Sequence, residues 1–129
     1  MTFARWNRLQ TLALGLLIGC GGGGGGAGPA GNQCVGIQNG TGAASAAAVG
    51  VKDNFFDPSG VTVAANSSVT WTWAGAGVEP HSVTFQGAGC PTSQTVTSGT
   101  YQLTFTTPGT FNYFCKVHAG MDGTVTVVN

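Results

Sequence analysis

What most constrains the fold is an apolar–polar alternation that recurs along the second half of the chain. Val61, Val63 and Ala65 alternate with Thr62 and Ala64, and Val69, Trp71 and Trp73 alternate with Thr70 and Thr72. Further on, Val83 and Phe85 alternate with Ser82, Thr84 and Gln86, and Tyr101, Leu103 and Phe105 with Gln102 and Thr104. Val125 and Val127 alternate with Thr124 and Thr126. A period of two turns one face of each segment toward a core. Turn signals separate the segments: Asp57-Pro58-Ser59-Gly60, Ala65-Asn66-Ser67, Gly75-Ala76-Gly77, Ser98-Gly99 and Thr107-Pro108-Gly109. No segment keeps a 3.6-residue period over three turns. Many short strands at this spacing predict an all-β domain, a sandwich or barrel, over residues 48–129. Trp71, Trp73, Phe105 and Phe111 are expected in its core. A domain of about 80 residues has a thin core and gains from any staple, bound metal included.

The residues before this domain read differently. Arg5 and Arg8 precede a mostly apolar run from Thr11 to Gly19. That run is shorter than the about 20 residues a membrane-spanning helix needs, and it suits the core of a secretory signal. Its end, Leu17-Ile18-Gly19-Cys20, resembles the lipobox of bacterial lipoproteins. The resemblance implies a signal over residues 1–19, cleavage before Cys20 and lipid on its sulfur, anchoring an exported protein to a membrane facing the periplasm or the exterior. The competing reading is an ordinary signal peptide cut near Ala27 or Ala30. Residues 20–47 are largely Gly, Ala, Ser and Asn and read as a flexible tether. About 27 residues of that composition reach on the order of 26–31 Å.

Charge is sparse: four basic and four acidic residues in 129. Loss of the signal removes Arg5 and Arg8 and leaves two basic against four acidic residues, a net charge of −2. Nucleic-acid binding would need clustered Lys and Arg and is not expected.

The chemistry-bearing residues sit in one short stretch and one outlier. The stretch is Tyr113-Phe114-Cys115-Lys116-Val117-His118-Ala119-Gly120-Met121, and the outlier is His81. Together they offer one thiolate, two imidazoles and one thioether. Two His and one Cys with a weak axial Met select copper and suit it to electron transfer. Structural zinc would want four Cys or His ligands, and a Met in the fourth position argues against it. Cys, His and Met at three-residue steps fit a tight loop that turns its side chains to one point.

Residues 48–129 resemble the cupredoxins, the small blue copper proteins. The matching stretches are Phe56-Asp57-Pro58, Val61-Thr62-Val63, Val69-Thr70-Trp71, Pro80-His81-Ser82-Val83, and Gly109 to Cys115 continuing through Gly123-Thr124-Val125. The resemblance implies a Greek-key β-sandwich of seven or eight strands with one type 1 copper near one end. It implies His81, Cys115 and His118 as equatorial ligands and Met121 as the axial one. His81 should be buried, and His118 should be the ligand nearest solvent and the exit for the electron. The backbone N–H of Ser82 is the candidate donor to the Cys115 sulfur. Lys116 and Val117 depart from the small or Pro residues common at these positions in the family.

With Cys20 assigned to lipid and Cys115 to copper, Cys34 and Cys90 remain as a possible disulfide; the alternative leaves both free. In an oxidising compartment such a bridge would close a loop of about 55 residues, worth up to ~4 kcal/mol. The resulting expectation is an electron carrier rather than an enzyme. It would be a monomer that exchanges single electrons with a redox protein donor and acceptor. The alternative is a module that buffers or delivers copper.

Overall fold

The structure is a computed structural model, and it describes residues 34–40, 45–73 and 79–129. The signal segment and Cys20 lie outside the described residues, as does most of the tether. Nine strands are present among the described residues: β1 (Ile37–Asn39), β2 (Ser45–Lys52), β3 (Phe55–Asp57), β4 (Gly60–Ala64), β5 (Ser67–Thr72), β6 (Thr84–Phe85), β7 (Thr100–Phe105), β8 (Gly109–Phe114) and β9 (Asp122–Val128). They form one sheet in the order β1-β7-β5-β2-β3 and another in the order β4-β9-β8-β6. The chain crosses between the sheets after β3, β4, β5, β6 and β7, which gives the expected sandwich. Two pairings, β2 with β5 and β4 with β9, are parallel.

Alternation places the core as the sequence predicts. Val69, Trp71, Leu103 and Phe105 point inward from the first sheet, and Phe111, Tyr113, Val125 and Val127 from the second. Trp71 is the hub. Its ring meets Tyr113 edge-on at 5.3 Å and Phe85 at 5.8 Å, so one indole joins both sheets. Two polar atoms in this cluster, Trp71 Nε1 and the Tyr113 hydroxyl, have no well-formed hydrogen bond. Burial pushes the Tyr113 phenol up to about 12, while the adjacent Trp71 indole acts weakly in the opposite direction.

Part of the segment expected as a tether over residues 20–47 is strand. Ile37–Asn39 pairs with β7, Ser45–Lys52 pairs with β5, and Ile37 and Ala47 pack against the core. Pairing explains the difference: without β1, β7 would end the sheet as an unpaired edge. Cys34 and Cys90 form a disulfide with Cα atoms 5.6 Å apart, which fastens the start of this segment to the second sheet's loop. Strand β1 also raises the strand count to nine. Strand β6 has only two residues, where alternation spanned five, because the residues before it are diverted into a side-chain cluster at the end of the sandwich.

Tyr113 lies opposite Gly123 in the β8–β9 ladder. A Cβ at Gly123 would overlap the Tyr113 ring. Gly123→Ala is therefore expected to lower stability by about 1–3 kcal/mol, the usual range for overpacking a core. Urea unfolding monitored by tryptophan fluorescence reads this, and a midpoint equal to the parent's would show that the ring moves aside at no cost.

Candidate metal centre

The cluster is assembled by backbone hydrogen bonds. His81 forms an isolated bridge with Val96: its N–H donates to the Val96 carbonyl at 2.9 Å and its carbonyl accepts from Val96 N at 3.0 Å. The same carbonyl accepts from Trp73 Nε1 at 3.1 Å. His81 is thus clamped before its side chain is considered. Cys115 follows β8 directly, where pairing with β9 gives way to a loop. Its N–H donates to the Met121 carbonyl at 2.9 Å, and Met121 N donates to the His118 carbonyl at 3.4 Å. These bonds fold residues 115–121 back on themselves. Gly120, at φ 79°, supplies the left-handed turn that the closure needs.

Three donor side chains converge. Cys115 Sγ lies 3.9 Å from His81 Nδ1 and 3.7 Å from His118 Nδ1, and all three donors fall within 4.8 Å of one another. The two imidazoles stack with centroids 4.5 Å apart. An ion bonded to nitrogen at about 2.0 Å and to sulfur at about 2.3 Å in a trigonal plane spaces those atoms about 3.7 Å apart. The two sulfur–nitrogen sides therefore have the spacing that a bound first-row metal ion imposes, and the sulfur and imidazole donors match copper. The group contains no fourth Cys, His, Asp or Glu among the described residues. Met121 is fully buried, with its backbone bonded to both loop ligand candidates.

The surroundings of the three donors differ. His81 is fully buried, Cys115 is 3% exposed and the His118 side chain is 20% exposed. The Ser82 N–H points at Cys115 Sγ at 3.4 Å, and Ser82 Oγ accepts from Lys116 N at 3.0 Å. Ser82 therefore ties the two segments together through both its backbone and its side chain. His81 Nε2 meets Asp53 Oδ1 at 3.1 Å, while His118 Nε2 is 3.9 Å from Glu79 Oε2. Lys116 and Val117 are exposed.

His81, Cys115, His118 and Ser82 are thus gathered as the sequence motif implied, with Met121 closing the loop. Sequence reasoning missed Asp53, Trp73 and Val96. Asp53 and Val96 carried no reading in the sequence, and Trp73 read as strand and core. Their contacts to His81 join segments far apart in the chain.

The profile of the cupredoxin-like domain matches residues 34–127. A plastocyanin from Scenedesmus fuscus is 36% identical over 85 residues, covering 56% of this chain and 85% of that protein. Among solved structures, the Cu(I) form of an amicyanin variant aligns with 28% identity and a TM-score of 0.56, over 67% of this chain and 85% of that one. A purple cupredoxin from Nitrosopumilus maritimus, 21% identical, shares the fold with a TM-score of 0.57 over 64% of this chain and 99% of that one.

A Cβ at Gly120 would meet no atom within 4 Å, so a substitution there is resisted by backbone conformation alone. Gly120→Ala should lower the stability of the metal-free protein by about 1–2 kcal/mol, the left-handed penalty for a residue with a Cβ. Denaturant unfolding without metal measures it. A stability equal to the parent's would mean the loop closes without that turn.

Proposed function

The chain belongs to the cupredoxin-like family, and on that premise we propose that it carries single electrons on one copper ion held by His81, Cys115, His118 and Met121. The observation that carries this reading is the triangle of His81, Cys115 and His118 donors, fixed by main-chain hydrogen bonds from both segments. Copper bound there supplies a one-electron couple. The chain's own residues do the rest. Cys115 enters as the thiolate and the histidines as neutral imidazoles. The clamps on His81 and the closed 115–121 loop limit rearrangement between oxidation states. Those clamps, and the burial of His81 and Cys115, favour a carrier over a module that releases copper.

His118 is the one donor imidazole that meets solvent, and it is the proposed exit for the electron. Val117 beside it and Phe55 in the β2–β3 hairpin are exposed apolar residues, 49% and 54% accessible. Transient redox contacts are small and weak, and an apolar surface at Val117, with Glu79 and Lys116 at its rim, lets a donor or acceptor protein approach the ring closely. The protein would act as a monomer.

The Cys34–Cys90 disulfide supports an exported protein, since such bonds persist in oxidising compartments. We further propose that residues 1–19 are removed as a signal and that lipid on Cys20 holds the domain at a membrane, through a tether that the disulfide limits to residues 20–33.

Copper titration followed by visible spectroscopy tests the central reading. The oxidised protein should bind one equivalent and show an intense thiolate-to-copper band. Cys115→Ser should abolish that band, and a mutant as blue as its parent would remove Cys115 from the site. Anchoring is tested separately: Cys20→Ala should move the protein from the membrane fraction to the soluble fraction with its copper spectrum unchanged. Retention in the membrane would refute the lipid assignment.

A further inference from the structure

We propose that Asp53 is a positioning residue of the metal centre, which fixes the ring of His81 and favours the oxidised ion. The inference deepens the copper reading and rests on it. Asp53 Oδ1 lies 3.1 Å from His81 Nε2, while Nδ1 of the same ring faces Cys115 Sγ at 3.9 Å. An ionised carboxylate only accepts hydrogen bonds, so a neutral His81 ring facing it carries its proton on Nε2. That leaves the Nδ1 lone pair turned toward the donor triangle, as a metal requires. The partner of the distal nitrogen sets which nitrogen is free to bind.

The backbone brings Asp53 there. Strands β2 and β3 pair through Lys52↔Phe55, leaving Asp53 and Asn54 as a two-residue hairpin tip. Asn54 takes φ 66°, a left-handed conformation that asparagine tolerates better than most residues. Strand β2 is held in the sheet by β5 on its other side, so the hairpin tip is fixed by two ladders. The two histidines are not equivalent in this respect. His118 Nε2 and Glu79 are 3.9 Å apart, beyond hydrogen-bond distance.

The carboxylate also has an electrostatic consequence. One thiolate and two neutral imidazoles around Cu(II) carry a net positive charge, and around Cu(I) they carry none. A negative charge on the distal edge of His81 therefore stabilises the oxidised form and lowers the reduction potential. The Asp53 side chain is 47% exposed, so salt screens part of this effect.

Three variants separate the two roles. Asp53→Asn keeps an acceptor oxygen and removes the charge, Asp53→Ala removes both, and Asp53→Glu keeps both on a longer arm. In the copper-loaded protein, Asp53→Asn and Asp53→Ala should raise the Cu(I)/Cu(II) ratio at a fixed applied potential by about three- to tenfold, where tenfold corresponds to 59 mV. The visible band should persist, and Asp53→Glu should restore much of the parent value. In the metal-free protein, nitrogen-15 NMR of His81 should show the proton on Nε2 in the parent and in Asp53→Asn, and a mixture of tautomers in Asp53→Ala. Midpoints equal to the parent's in both Asn and Ala variants would overturn the electrostatic role. A parent ring protonated on Nδ1, or an Ala variant with the parent's tautomer, would overturn the positioning role. Failure of the parent to bind copper would sink the copper reading, and the metal-free ring would still decide whether Asp53 positions His81.

Discussion

Cys115 Sγ sits where the β8–β9 ladder ends, in a space that admits almost no water, and it is the atom around which the metal end of the sandwich is organised. A buried thiolate is costly unless something compensates its charge. The Ser82 N–H at 3.4 Å provides part of that compensation, and a cation between Cys115, His81 and His118 provides the rest. Metal affinity and folding stability are then two measures of one arrangement, because the donors converge only when both sheets are formed. The hydrogen bonds of Val96, Trp73 and Met121 hold the donors close to one another.

The two imidazoles present the same atom, Nδ1, to the sulfur, yet their outer edges face different surroundings. That of His81 is buried against a carboxylate, and that of His118 opens to solvent beside Val117. In the roles proposed above, one edge tunes the site and the other faces a partner.

Alternation made β4, β5, β7 and β9 legible, since each buries one face of Val, Trp, Phe or Leu. It failed for β2, where Ser45 to Ala48 are small residues with no contrast between faces, and for β1, a polar edge strand that depends on β7 for pairing. Strand β6 was overestimated because His81 and Ser82 direct their backbone to Val96 and Cys115 rather than to a continuous ladder. The copper motif was legible because Cys115, His118 and Met121 share one loop. Asp53 was not, because a turn aspartate looks the same whether it caps a hairpin or reaches a histidine 28 residues on.

The disulfide fixes where the residues before Cys34 join the domain. The turn at Cys34 packs on the β7–β8 connection, where Thr106 donates to the Gly36 carbonyl from both its N–H and its hydroxyl. Strand β8 leaves that connection and arrives at Cys115 six residues later, about 20 Å away at ~3.4 Å per residue. A leash of residues 20–33, as proposed above, would reach about 20 Å, and it would join the domain at the Cys34–Cys90 bridge. An anchor at its far end would then hold the domain by that single covalent point, about which the domain could turn.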